Sequence, residues 1–450
     1  VDFRNISLLM TMLALVACST SGPDLQRIYN HDGEPGDATA SIQPPVILLH
    51  GVLGSRLCDA RGNERWPGHL WRLLTHDYRD LVTTTLHPCG VTDQVAGKDF
   101  YGQIERTLAE AGGYVASLPG ERKSKHGERR YYWFVYDWRQ DLQKTAAQLN
   151  SFVSRVQQDY DTPVRVDLVA HSMGGLISRY WLRYGQTDVL NNNDFPITNS
   201  GLQKVRKVVL VGTPNFGSVS ALQQLLSGVK LGPNRIPPDV LLAFDSGFQL
   251  LPHPLRNAIL NNAGKPLKRD WFDHHIWQAL QWGPFDPDVI QAWQQQNLSI
   301  SAIKKRQDKL QQQLERARRF VWSLSIKNPD EERTLIVFGG DCHPTPARIL
   351  IEDLADDSYV RLWPEEIQHP KADIPYARLM LEPGDGAVTK QSLLATTVLD
   401  PSKPRHPYSY FPLDYVVMIC EEHGRLPGNI TFQDNLLHIL LSPAQSTNKP

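Results

Sequence analysis

The chain has 450 residues, of which 41% are hydrophobic and 21% charged, a balance that excludes a disordered or collagen-like protein. Lysine plus arginine number 47 against 48 acidic residues, so the formal charge of −1 makes no case for a nucleic-acid partner. The length allows a large core and about two to four domains, while 5 cysteines are too few for a disulfide-built scaffold.

In chain order, Arg4 precedes an apolar run from Ile6 to Ala17. A bilayer span needs about 20 apolar residues, so this shorter run reads as a secretory signal over residues 1–18. It ends Leu15-Val16-Ala17-Cys18, followed by Ser19-Thr20-Ser21-Gly22, and resembles the bacterial lipobox. That resemblance implies lipidation of Cys18 and, because Ser19 is not acidic, an outer-membrane or periplasmic address. Residues 19–43 are rich in Ser, Gly, Asp and Pro and are expected to form a flexible tether. With Cys18 set aside, Cys58, Cys89, Cys342 and Cys420 remain, enough for two bridges in an oxidising compartment with three possible connectivities.

Six short apolar runs follow, and each reads as a buried strand: 45–49, 132–136, 164–169, 207–211, 334–338 and 415–419. Several end in Gly or polar turn residues. Between the second and third lies a helical pattern with Leu142, Ala146, Leu149, Val153 and Val156 on one face. Strand–helix alternation with near-continuous apolar strands implies an α/β fold, with a mostly parallel sheet flanked by helices. A domain over 44–441 is expected, with insertions at about 56–90 and 217–330 and a tail at 442–450. Residues 217–330 lack clear strands and read as a cap. Their first part, 217–250, is apolar and poorly periodic, as a lid would be. Residues 301–322 predict a polar helix with Ile303, Leu310, Leu314, Ala317 and Phe320 on a narrow stripe. Its Lys304, Lys305, Arg306, Arg316, Arg318 and Arg319, and the cations of the 121–130 loop, offer contact with anionic lipid headgroups, but a solvated face is the preferred expectation.

The chemistry centres on Val169-Ala170-His171-Ser172-Met173-Gly174-Gly175, which has the form of a nucleophile elbow between strand and helix. Flanking residues must be small for such a turn to close. Gly174 meets this need, and Ala170 stands where glycine is usual. A serine there attacks an acyl carbonyl if a histidine takes its proton. The oxyanion then needs two backbone donors, expected at Met173 and at Val52 in His50-Gly51-Val52-Leu53-Gly54. The acid and base should follow in that order. Asp385, between Gly384 and Gly386, and Asp341, after a strand, both qualify as the acid. His423 lies just past the 415–419 strand, whereas His438 falls in an amphipathic helix and is expected to be packed or on the surface. With 15 histidines in the chain, His423 carries weight mainly through its partners.

Taken with Tyr136-Asp137-Trp138-Arg139, Gly212-Thr213-Pro214 and Glu422-His423, these segments occur in the order seen in the lecithin:cholesterol acyltransferase family, which the chain resembles from about residue 44 to 441. The resemblance implies an α/β-hydrolase fold and chemistry on lipid acyl esters. It implies Ser172 as nucleophile, Asp385 rather than Asp341 as acid, His423 as base, and Val52 with Met173 as oxyanion donors. It also implies a Cys58–Cys89 bridge closing a loop after the first strand, and a mobile lid over 217–250. His50 departs from the proline common in eukaryotic members. Cys342 and Cys420 each follow a predicted strand, which favours a second bridge between them. Trp66 and Trp71 lie inside the first loop, where they would either enter a lipid interface or pack on the cap.

The expectation is thus an exported serine acyl hydrolase or O-acyltransferase acting on phospholipid or another acyl ester at a membrane surface. No cofactor is expected: there is no phosphate cradle or clustered metal-ligand motif, and His274-His275 lacks helical ligand spacing. Two other readings use the same residues, a catalytically silent hydrolase-fold lipoprotein used for binding and an esterase for small soluble esters.

Overall fold

The structure, a computed structural model, describes residues 23–29, 43–395 and 415–442, apart from 96–97, 126, 327, 329, 331–334 and 355–356. Seven parallel strands form the central sheet: β1 (Val46–Leu49), β2 (Tyr114–Ala116), β3 (Arg129–Phe134), β4 (Val166–His171), β5 (Val205–Val211), β6 (Leu335–Gly340) and β7 (Tyr415–Ile419). Their spatial order is β7-β6-β5-β4-β1-β3-β2. The near-continuous apolar strands have the cause expected, burial on both faces. On β1, Ile47 and Leu49 enter one core while Val46 and Leu48 enter another on the opposite face. Edge strand β2 was not legible, because two of its three residues are exposed and no apolar run marks it.

Helix α1 (Leu142–Gln158) carries the predicted stripe, with Leu142, Ala146, Leu149, Val153 and Val156 fully buried. Asp141 caps it, accepting from the Gln143 amide at 2.8 Å. Helix α2 (Met173–Tyr184) is buried along its whole length. On the far face, α4 (Ile430–Leu441) packs Phe432, Leu436 and Leu437 into the second core.

The insertion after β1 is a three-stranded antiparallel sheet, Ser55–Cys58, Glu64–Trp66 and His87–Val91, plus a helix Leu70–Thr75. The Cys58–Cys89 bridge closes it, and Cys342–Cys420 joins the ends of β6 and β7. Trp66 and Trp71 separate. Trp66 is 2% exposed and packs edge-on to Tyr78 and Trp138, so it does not reach an interface, whereas Trp71 is 75% exposed.

The cap departs from expectation in three ways. It contains short strands: Val229–Leu231 pairs with Asn234–Ile236, and Ile259–Leu260 pairs with Ile349–Leu350. Through that second pairing, residues 349–361 join the cap, which therefore extends beyond 330. The cations of α3 (Ile300–Ser323) are largely engaged by protein rather than solvent. Arg316 pairs with Asp141 and Asp188, Arg318 and Arg319 pair with Glu315, and Arg306 lies over the Trp293 ring. In the 121–130 loop, Arg122 and Arg130 likewise share Glu128.

Cys18 and the signal segment lie outside the described residues, as does most of the tether. Residues 23–29 of that tether are described. Leu25–Tyr29 is helical, Leu25 is buried, and the Tyr29 hydroxyl donates to Asp434 at 2.7 Å. Among the described residues, no helix is long and apolar enough to cross a membrane.

Candidate active site

The site forms where four parallel strands end. β4 runs directly into Ser172, which adopts φ 53° and ψ −123° before α2 begins. A non-glycine residue rarely holds positive φ, and such strain persists only where the surroundings over-determine it. Here they do. A Cβ on Gly51 would lie 2.8 Å from Ser172 Cβ, and one on Gly174 would lie 2.6 Å from the His50 carbonyl oxygen. Ala170 is accommodated within β4, between Leu49 and Leu210.

The chain after β7 brings His423 to this turn. Its Nδ1 lies 2.8 Å from Asp385 Oδ2, and its Nε2 lies 2.9 Å from Ser172 Oγ. With Nδ1–H donating a hydrogen bond to the carboxylate, Nε2 presents its lone pair and the serine hydroxyl donates to it. Gly212, at φ 57°, explains part of the Gly212-Thr213-Pro214 segment, since a Cβ there would stand 3.0 Å from the imidazole.

Asp385 is 2% exposed. Its second oxygen accepts from the amides of Ala387 at 2.9 Å and Val388 at 2.7 Å, and its carbonyl accepts from the His423 amide at 2.9 Å. Burial pushes the carboxyl upward, but the His423 charge and these donors outweigh it and hold Asp385 below the usual carboxylate range. Burial likewise opposes charge on His423, but Asp385 more than compensates and raises the imidazole above 6.5. The rival acid does not reach the histidine: Asp341 accepts from Lys390 Nζ at 2.9 Å. His438 is exposed on α4.

The loop after β1 is held peptide by peptide. His50 is buried, its ring stacked 3.9 Å from Tyr136, and burial brings it down to about 4, so it is neutral. Its Nδ1 lies 2.9 Å from the Gly51 carbonyl oxygen, and the Gly54 amide donates to that same oxygen at 3.2 Å. With the carbonyl fixed on one side, the trans peptide turns the Val52 N–H to the other. Met173 is the first residue of α2, where an N–H has no intrahelical partner. Beside Val52 runs an apolar cleft lined by Leu53, Trp138, Leu225, Phe244 and Leu250, much of it from the 217–250 segment.

Two side chains here carried no role in the sequence reading. Tyr101, from a stretch without periodic pattern, reaches both the Gly51 amide and His171. His171 was visible only as part of the elbow. Among the described residues, two groupings also bring metal-ligating types together. In one, Cys342 and Cys420 are spent in a disulfide; in the other, Asp273, His274 and His275 converge within 4.8 Å despite lacking helical ligand spacing.

The family model for lecithin:cholesterol acyltransferase matches residues 130–313, a stretch that contains β4, Ser172 and most of the cap. No curated protein is matched by the sequence. Among solved structures, a chain of the Tle4-Tli4 complex aligns at a TM-score of 0.56 and 14% identity, over 88% of this chain and 98% of that one. EstA from Clostridium botulinum aligns at 0.38 and 12% identity, over 91% and 90% of the respective chains. The mature Bacillus licheniformis lipase BlEst2 aligns at 0.33 and 14%, over 91% and 96%. The sheet order gives the chain an α/β-hydrolase fold, and within it residues 130–313, around the elbow, are similar to the lecithin:cholesterol acyltransferase family.

Proposed function

We propose that this lipid-acting hydrolase or acyltransferase works through an acyl-enzyme on Ser172. The observation that carries the reading is the unbroken series Ser172 Oγ, His423 Nε2, His423 Nδ1 and Asp385 Oδ2, with contacts of 2.9 and 2.8 Å. Ser172 Oγ attacks the ester carbonyl carbon as His423 takes its proton. The developing oxyanion accepts from the Val52 and Met173 amides, and losing one such donor typically costs about 3 kcal/mol of transition-state stabilisation. His423 then protonates the departing alcohol, leaving the acyl group on Ser172. Water or a lipid hydroxyl attacks next, with His423 again as base.

The apolar cleft beside Val52 suits an acyl chain, and the 217–250 segment over it would govern whether water reaches the acyl-enzyme. Two disulfides suit an oxidising, exported setting. Within that setting we assign residues 1–18 to a signal, Cys18 to lipid anchoring at the outer membrane, and 44–441 to the hydrolase domain.

A fluorophosphonate probe tests the nucleophile: the parent chain should label, and Ser172→Ala should not. Equal labelling of both would favour the binding-lipoprotein reading. A rate no higher on micellar than on monomeric ester would favour the soluble esterase. Labelled phospholipid supplied with and without a sterol or diacylglycerol then separates hydrolysis from transfer by its products.

A further inference from the structure

We infer that Tyr101 and His171 are positioning residues, locking the loop after β1 and the backbone of His423 into one directed chain of hydrogen bonds around Ser172. The inference rests on the assignment of Ser172 and His423 above and adds to it a device that holds them.

Tyr101 is buried, and its hydroxyl accepts from the Gly51 amide at 2.8 Å. The same oxygen lies 2.9 Å from His171 Nδ1, and His171 Nε2 lies 3.1 Å from the His423 carbonyl oxygen. A carbonyl can only accept, so the imidazole proton must sit on Nε2. Nδ1 then carries a lone pair and accepts the single proton of the Tyr101 hydroxyl. The direction is therefore fixed throughout: the Gly51 amide donates to Tyr101, Tyr101 to His171, and His171 to the carbonyl of His423. The opposite tautomer would set a lone pair of Nε2 against the carbonyl oxygen. It would also leave the tyrosine proton without an acceptor among the described residues.

His171 must stay neutral for this, and its surroundings ensure it. Burial pushes it down to about 3 and the neighbouring His423 adds to that, outweighing the upward pull of the bond to the His423 carbonyl and of the Asp385 charge. It is thus no spare base, although its ring centre lies 4.9 Å from that of His423. The chain links three functions that reach the site from separate strand ends. Gly51 immediately precedes the proposed oxyanion donor Val52, His171 immediately precedes Ser172, and the last acceptor belongs to the base itself. A Cβ on Gly51 would come within 3.3 Å of His171 Nδ1, so these parts are in close packing as well as hydrogen-bonded.

The test uses the full chain acting on a micellar phospholipid. Tyr101→Phe keeps the ring and removes only the hydroxyl. We expect kcat and the fluorophosphonate labelling rate to fall about tenfold or more with KM changed less than about threefold, because misplacement rather than lost binding is at work. A kcat within about twofold of the parent overturns the inference. His171→Gln retains a donor that can reach the His423 carbonyl, and should keep at least about ten times the activity of His171→Leu. Equal loss in both overturns it. A nitrogen-15 histidine spectrum of the parent at neutral pH needs no variant to fold: it should show His171 neutral with its proton on Nε2, and a proton on Nδ1 overturns the inference. Failure of the Ser172 assignment would appear separately, as labelling that survives in Ser172→Ala while the tautomer measurement still decides the chain.

Discussion

Burial alone would raise the Asp385 carboxyl and lower the His423 imidazole, and their mutual attraction reverses both tendencies. This sets the pH dependence. In the proposed mechanism only neutral His423 accepts the serine proton, so kcat/KM should fall as pH drops through an apparent value above 6.5. Asp385→Asn removes the charge that lifts the imidazole, so the acid limb should move to lower pH. The rate on the plateau should also fall by about 10⁴-fold, since asparagine no longer enforces the tautomer. A pH–rate profile of both forms checks it, and an unmoved limb would mean that Asp385 does not face the working base. At this scale the elbow marked Ser172 in the sequence, whereas Asp385 was preferred to Asp341 only by resemblance and His423 drew its weight from its partners; the structure brings these three side chains together. Tyr101 was not marked. Its importance comes from where its hydroxyl ends after folding, and nothing in Asp99-Phe100-Tyr101 announces that.

The elements reached by sequence were those with a repeating reason to exist. The stripe of α1 and the doubly buried strands each follow from burial, and burial leaves a period. The short pairings of the cap have no such period: two residues at Ile259–Leu260 suffice to recruit 349–361, and only tertiary contact reveals them. The insertion after β1 shows both sides. Its bridge was foreseen by resemblance, whereas the opposite fates of Trp66 and Trp71 follow from packing. Removing the bridge with Cys58→Ser and Cys89→Ser, whose separation is 31, should cost ~3–4 kcal/mol in denaturant unfolding on the chain-entropy account. Trp71, with Leu70 at 61% and Leu74 at 44% exposure, offers an apolar edge on the helix Leu70–Thr75. Trp71→Ser should therefore weaken vesicle binding ~10-fold, or about 1.4 kcal/mol. Turnover of a short monomeric ester should not change, and a parallel loss on both substrates would make the residue structural instead.

For the whole molecule, sequence conveyed the layer architecture and the presence of a cap but not what fastens the cap down. The cations of α3, expected to face water, include the fastening. Arg316 reaches Asp141, the capping residue of α1, which is 3% exposed. Arg316→Leu would leave that buried carboxylate without its cation, at a cost of ~2–4 kcal/mol. We expect a lowered melting temperature and earlier proteolysis within the cap than within the sheet. Unchanged melting would show the pair to be a bystander.

The serine and the imidazole that meets it are 251 positions apart along the chain. The strands that carry them, β4 and β7, must therefore both be in place in the sheet before the two can touch. Turnover consequently serves as a gauge of chain integrity: a fragment ending short of His423 has no working half, and a nick that releases β7 should silence the enzyme even where most of the sheet survives.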